Sequence, residues 1–104
     1  GLLSILGAYA AGAAEVFVSA RHVHQQELAM HFGASRVFPN ADEMLSELGD
    51  QYVDVVIETV GGSAETIYES VQIARTGATI LMLGAFKDSL RLPALRFLTN
   101  ELSL

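Results

Sequence analysis

The chain has 104 residues, enough for one domain with a buried core and too few for two. Hydrophobic residues make up 51% and charged residues 17%, which is the composition of a globular protein rather than a disordered one. A net charge of −6 with only six Lys and Arg argues against a nucleic-acid partner, and the lack of cysteine excludes disulfides and thiolate metal ligands within these residues.

The sequence predicts neither a membrane span nor a secretory signal. No apolar run approaches the ~20 residues that a helix needs to cross a bilayer, so no membrane span is predicted. No basic leader precedes a short apolar core, and the cytoplasm is therefore the predicted location. The chain lacks an initiator Met and stops within a strand-like alternation at Leu102–Leu104, so we expect it to be a piece of a larger protein.

The first part of the chain alternates between helical and strand patterns. Residues 2–11 place apolar side chains at helical spacing before Gly12, which predicts a helix that ends there. The next predicted elements are a strand over residues 15–20, a helix from His24 to Phe32 and a strand at Arg36–Phe38.

A third helix is predicted to begin after Asn40. Glu43 lies three residues on, as in a capping box, and Gly49 ends the helix. The side chains predicted to face the core are Met44, Leu45 and Leu48.

The stretch from Asp54 to Gly62 is the most informative in the chain. Asp54 leads into an apolar run that begins at Val55, within a predicted strand over Val53–Glu58. The run breaks on two glycines, as a parallel strand does at the mouth of an α/β sheet. Ligands bind in open α/β sheets beyond such strand ends. The same pattern recurs one helix later, where a predicted strand over residues 78–83 runs into Gly84 and Ala85. Gly77 marks the turn before that strand.

The helix between these two strands has Ser63 as its predicted cap. Its apolar stripe is predicted to consist of Ala64, Ile67, Val71 and Ala74. After the second strand, Leu90–Pro93 is predicted to be extended, residues 94–99 helical, and Leu102–Leu104 a further strand. Strands that alternate with helices predict a parallel sheet built from right-handed βαβ units.

These patterns together resemble the cofactor-binding domain of the medium-chain dehydrogenase/reductase superfamily, and within it the zinc-type alcohol and polyol dehydrogenases. The resemblance covers essentially the whole chain and rests on the order of four segments, residues 12–18, 32–34, 55–62 and 101–104. It implies an α/β fold with a doubly wound, Rossmann-like parallel sheet, of which residues 1–104 would form a partial dinucleotide-binding domain.

Under this resemblance Gly1 is similar to the last glycine of the G-x-G-x-x-G fingerprint. The first strand, which is central in the order 3-2-1-4-5-6, would then lie upstream of the chain. Without it the two halves of the sheet would share no ladder, and we expect the isolated 104 residues to be unstable or prone to aggregation.

The resemblance implies cofactor-binding residues in this chain, but no catalytic or metal-binding residue. Main-chain N–H groups at the start of the first helix would bind the pyrophosphate. The end of the second strand would meet the adenosine ribose, and the two later strand ends would meet the nicotinamide and its ribose. The residues implied are Gly1, Leu2, Ser19, Ala20, Arg21, Thr59, Val60, Gly61, Leu83, Gly84 and Ala85.

The end of the second strand also bears on the choice between NAD and NADP. NAD enzymes usually have Asp or Glu at the position that reads Ala20 here, flanked by Ser19 and Arg21. No carboxylate is present to repel a 2′-phosphate, and the Arg21 guanidinium suits phosphate oxygens. The sequence therefore predicts NADP(H) in preference to NAD(H), with lax selectivity as the alternative.

No metal-binding or catalytic role is predicted for three other polar residues, His22, His24 and Glu58. His22 and His24 have an H-x-H spacing, but with no Cys or carboxylate nearby a metal site is disfavoured. Glu58 is interpreted as the natural end of a strand rather than as a catalytic acid.

The leading functional hypothesis is an oxidoreductase that moves hydride between NADP(H) or NAD(H) and a small alcohol or carbonyl substrate, with any zinc held by a separate catalytic domain. The alternatives are a zinc-independent quinone or enoyl reductase of the same superfamily and a non-catalytic nucleotide-binding or assembly domain. A flavodoxin-like receiver domain fits poorly, because no phosphorylatable Asp pattern is found. A homo-oligomer paired through Leu102 and Leu104 of the terminal strand is also predicted.

Overall fold

The computed structural model describes residues 2–49, 52–60 and 65–83. Within these ranges helices and strands alternate along the chain, and the described residues fall into two compact units that divide between Glu47 and Leu48. The elements are α1 (Leu3–Ala10), β1 (Phe17–Ser19), α2 (Val23–His31), β2 (Arg36–Phe38), α3 (Ala41–Leu48), β3 (Val53–Glu58), α4 (Glu65–Ile73) and β4 (Ala74–Met82).

Both sheets in the described residues are parallel and two-stranded. In the first unit β1 pairs with β2, with Phe17 opposite Arg36 and Ser19 opposite Phe38. In the second unit β3 pairs with β4. Parallel strands linked through helices confirm the predicted α/β fold class.

The core of the first unit forms between its helices and its sheet. Ile5 of α1, Ala29 of α2 and Ala34 make up the buried cluster. The half-buried hydrophobic residues packed against that cluster are Leu2, Tyr9, Val16, Val18, Phe32 and Val37. The small side chain of Ala29 lets α2 pack against the two short strands.

Glycine ends α1 and α2 as the sequence predicts. Gly12 has a φ of 101° and Gly33 a φ of 98°, in the left-handed region that residues with a Cβ rarely adopt. In α2 the N–H of Ala34 donates back to the oxygen of Ala29 at 3.0 Å, and α1 has an equivalent bond. The reversed backbone thus satisfies carbonyl groups that the helix end would otherwise leave without partners.

The predicted cap of α3 is confirmed. Oδ1 of Asn40 accepts a hydrogen bond of 2.8 Å from the N–H of Glu43. Glu47, on the same helix, forms a salt bridge with Arg36 of β2. The side chains predicted to face the core from α3 are half-buried, namely Met44, Leu45 and Leu48.

One prediction about the second unit is wrong. Ala74, assigned to the apolar stripe of the last helix, is the first residue of β4 and pairs with Val53, four residues before the predicted strand start. The pairing then shifts, so that Val55 lies opposite Thr79. Gly77 does interrupt the strand, with a φ of 79°, but it lies inside β4 because the chain loops out and then resumes the same ladder.

The core of the second unit lies between α4 and one face of its sheet. Its buried residues are Val71 of α4 and Ala74, Ala78 and Ile80 of β4, with Val56 and Met82 packed against them. Ser63, Ala64 and the elements predicted beyond Leu83 lie outside the described residues. Among the helices that are described, none has the length and apolar character to span a membrane.

Candidate cofactor-binding site

The end of β1 is held by hydrogen bonds to the neighbouring strand and helix. The N–H of Ala20 donates to the oxygen of Phe38 at 2.9 Å, which extends the ladder one residue beyond β1. Nε2 of Gln26 in α2 donates to the oxygen of Ala20 at 2.8 Å. Both main-chain polar groups of Ala20 are therefore engaged, and the residue is half-buried.

Arg21 follows this fixed residue and is exposed, as is Ser19 before it. Within the described ranges the ion pairs are Arg36–Glu47 and Arg75–Asp54, so the Arg21 guanidinium forms none. A planar cationic group beside a strand end, with no competing carboxylate partner, is suited to bind phosphate oxygens.

The start of α1 presents its backbone rather than its first side chain. Leu2 occupies the N-cap position with helical φ and ψ of −63° and −33°, and no side chain caps the helix. The Leu2 side chain packs on the core of the first unit, so only its main chain is available to an anion. The first turn carries no acidic residue that would repel one. Gly1 lies outside the described residues.

The ends of β3 and β4 lie side by side in the second unit. Glu58 is opposite Met82 at the last pair of the ladder, and the N–H of Leu83 donates to the Glu58 oxygen at 2.8 Å. Oε1 of Glu58 accepts a hydrogen bond of 2.8 Å from the N–H of Val60. We call the segment formed by residues 58–60, 82 and 83 the β3–β4 tip.

Two apolar side chains project from the β3–β4 tip. Val60 is 74% exposed and Leu83 is 59% exposed, while Thr59 between the strand and Val60 is half-buried. The structure thus brings Thr59, Val60 and Leu83 to one edge of the sheet, as expected for parallel strands. Gly61, Gly84 and Ala85, the other residues implied for this region, lie outside the described residues.

Two polar residues near the strand ends were not assigned a role from the sequence. Nothing local marks Gln26, which reaches Ala20 across six residues. Glu58 did carry a signal, because the period of two along β3 places it on the same face as Val56, the face that α4 covers. An acidic side chain on that face has to be buried.

The residues present fit a dinucleotide better than a metal ion. Across residues 2–49, 52–60 and 65–83, no three His, Cys, Asp or Glu side chains come together as a metal site would require. His22 and His24 are exposed. The exposed Arg21 and the backbone at the start of α1, by contrast, suit an anionic cofactor with phosphate groups.

Comparison with known proteins places the chain in a family. The zinc-binding dehydrogenase family matches residues 1–104. An alcohol dehydrogenase from Cupriavidus necator is 31% identical over 102 residues, which cover 93% of this chain and 28% of that protein.

Solved structures agree with this assignment. A protein described as a zinc-binding dehydrogenase from Sinorhizobium meliloti 1021, solved bound to NADP, superposes with a TM-score of 0.84 at 32% identity, over 98% of this chain and 32% of its own. Galactitol-1-phosphate dehydrogenase from Escherichia coli gives a TM-score of 0.76 at 29% identity, over 98% of this chain and 32% of its own. The chain spans less than a third of the length of these relatives. With a match over its whole length, the chain belongs to the zinc-binding dehydrogenase family.

Proposed function

We propose that this chain is the cofactor-binding part of an oxidoreductase that transfers hydride between NADP(H) or NAD(H) and an alcohol or carbonyl substrate. The observation that carries the proposal is the exposed guanidinium of Arg21, which has no ion-pair partner among the described residues and lies one residue beyond a parallel strand in a member of the zinc-binding dehydrogenase family. The relatives are an alcohol dehydrogenase, a polyol phosphate dehydrogenase and an NADP-bound protein, which supports a small alcohol or carbonyl substrate.

The work of this chain would be to bind and orient the cofactor. The bound dinucleotide supplies the hydride chemistry, and the protein supplies position and electrostatics. Main-chain N–H groups at the start of α1, from Gly1 and Leu2 onward, would bind the pyrophosphate. Thr59, Val60 and Gly61 would line the nicotinamide ribose. Leu83, Gly84 and Ala85 would lie at the nicotinamide ring.

The proposal extends to a preference for NADP(H) over NAD(H). The three residues at the end of β1 are Ser19, Ala20 and Arg21, which include a hydroxyl and a guanidinium but no carboxylate. A 2′-phosphate would therefore meet attraction from Arg21 and a hydrogen-bonding group in Ser19, with no like charge on these residues to repel it.

Titration of the full-length parent protein with NADPH and NADH tests this proposal. We expect NADPH to bind more tightly, and Arg21→Ala to weaken NADPH by about 10-fold or more, the value of a hydrogen bond to a charged group, while NADH changes little. Arg75→Ala is the control for loss of an arginine elsewhere, because Arg75 is also exposed but lies in the second unit, where it pairs with Asp54. Equal affinities that Arg21→Ala leaves unchanged would remove the role in 2′-phosphate binding.

The proposal for the whole protein also covers its catalytic zinc, its substrate-binding groups and its oligomeric state. We propose that a separate domain holds zinc and substrate, that the protein is a cytoplasmic homo-oligomer, and that its terminal strand at Leu102–Leu104 forms the subunit contact; these last residues lie outside the described ranges. Oxidation of alcohols followed by NADPH absorbance separates this proposal from a non-catalytic nucleotide-binding domain.

A further inference from the structure

We propose that Glu58 is a positioning residue that shapes the β3–β4 tip for the nicotinamide-ribose half of the cofactor and against its phosphates. This inference rests on the proposed function. It concerns a buried carboxylate for which no chemical role was predicted from the sequence.

Glu58 is buried inside the second unit. It is 4% exposed, on the sheet face that α4 covers, two pairs along the ladder from the fully buried Ile80. Removing a carboxylate from water is costly, whereas an apolar side chain would fill the same place without that cost. A charged group kept in such a position needs polar partners that repay its desolvation.

Glu58 accepts hydrogen bonds from two main-chain N–H groups beyond the strand ends. Its Oε1 binds the N–H of Val60 and its main-chain oxygen binds the N–H of Leu83, both at 2.8 Å. One residue thereby fixes the segments that follow two neighbouring strands. The bond to Val60 involves an ionisable carboxylate, and such charge-assisted bonds are shorter and stronger than neutral ones.

These bonds determine which groups the β3–β4 tip can offer to a ligand. Phosphate binding at a strand end needs N–H groups that point at the ligand. Here the N–H groups of Val60 and Leu83 are both engaged by Glu58, and a carboxylate lies beneath them. The described tip exposes the apolar side chains of Val60 and Leu83. That surface suits the face of an uncharged or singly charged ring better than it suits a phosphate.

The test compares two ligands on the full-length protein. NADPH carries the nicotinamide-ribose half, whereas 2′-phospho-ADP keeps the 2′-phosphate and the diphosphate but lacks both that ribose and the nicotinamide ring. NADH and ADP are run in parallel. For each variant the measured quantity is the ratio of the two dissociation constants, together with KM and kcat for the alcohol reaction.

We expect Glu58→Ala to weaken NADPH by about tenfold, the scale of a lost hydrogen bond to a charged group, and to leave the dissociation constant of 2′-phospho-ADP within twofold of its wild-type value. Glu58→Gln keeps an oxygen acceptor at the same reach and should restore most of the NADPH affinity. Glu58→Asp is one methylene shorter, so it should lower the NADPH affinity selectively even if Glu58→Ala does not fold.

Ile80→Val is the matched control for a merely structural effect. It removes one methylene from the core of the same sheet, so it should lower the melting temperature without altering the ratio of the two dissociation constants. Equal weakening of both ligands by Glu58→Ala and Glu58→Asp, or no change in either, would overturn the positioning role. A wild-type protein that binds neither dinucleotide would overturn the proposed function itself, and this inference with it.

Discussion

Nε2 of Gln26 donates a hydrogen bond of 2.8 Å to the main-chain oxygen of Ala20, and so joins α2 to the residue that follows β1. The N–H of the same alanine is bound to β2 through Phe38. The backbone that leads into Arg21 is therefore held from two sides. A fixed backbone at this point limits the directions that the Arg21 guanidinium can take.

Replacement of Gln26 tests whether this bond matters for the cofactor. In the full-length protein we expect Gln26→Ala to weaken NADPH by about fivefold, because a neutral hydrogen bond contributes about 1 kcal/mol. NADH should change less, since it has no 2′-phosphate for Arg21 to bind. Gln25→Ala is the control, as Gln25 is an exposed neighbour on the same helix. Equal losses for the two cofactors would show that the bond serves stability alone.

A second long-range contact predicts an effect on stability. The hydroxyl of Tyr9 in α1 donates to the oxygen of Gly33 at 2.6 Å and lies 3.1 Å from Oγ of Ser35. The same Ser35 Oγ accepts the N–H of Val16 at 3.0 Å. This small network joins the end of α2 to α1 and to the segment that enters β1.

We expect Tyr9→Phe to lower the free energy of unfolding by about 1 kcal/mol, because the hydroxyl is lost and the ring remains in place. The measurement is the urea midpoint of the full-length protein. Tyr68→Phe is the control, because Tyr68 lies exposed on α4 and its substitution should change stability by less than about 0.5 kcal/mol. If both variants lose the same amount, the network contributes nothing specific.

The features that the sequence predicted correctly depend on neighbouring residues. Asn40 and Glu43 mark the start of α3 because a cap and its partner are three residues apart. Gly12 and Gly33 mark helix ends because a left-handed φ excludes most other residues. The run Val53–Glu58 is a strand with the predicted bounds.

The features that the sequence did not predict depend on contacts between distant residues. Ala74 has good helix propensity, but pairing with Val53 places it in β4. Tyr9 reaches Gly33 across 24 residues, and no local pattern encodes such a contact. For the site, the strand ends were predictable from glycines and alternation. The roles of Gln26 and Glu58 were not, because each depends on which main-chain group the fold brings within reach.

The cap of α3 gives a prediction with an internal control. Asn40→Ala removes the oxygen that accepts the N–H of Glu43, and we expect a loss of about 1 kcal/mol in the free energy of unfolding. Asn40→Asp keeps an acceptor at the same position and places a negative charge at the helix N-terminus, so its stability should match or exceed that of the wild type. Thermal midpoints of the three proteins decide the matter. A loss in Asn40→Asp as large as in Asn40→Ala would contradict the capping role.

The 104 residues in isolation should aggregate rather than unfold cooperatively. Each described strand belongs to a two-stranded sheet, so each has an edge with no partner among the described strands. Isolated two-stranded sheets are marginal in water. The face of β3–β4 away from α4 also exposes apolar side chains, with Val55 at 57% and Leu81 at 47%.

Light scattering of the isolated chain at increasing concentration, together with a urea titration, checks this expectation. We expect scattering to rise with concentration and the urea curve to show no sharp transition. Leu81→Lys should reduce the scattering, because it removes an exposed apolar side chain and adds a charge, and both changes oppose edge-to-edge and face-to-face association. The control is Thr79→Lys, which adds the same charge on the same face and removes no large apolar side chain. A monomer with one cooperative urea transition would show instead that the isolated chain folds without any further strand.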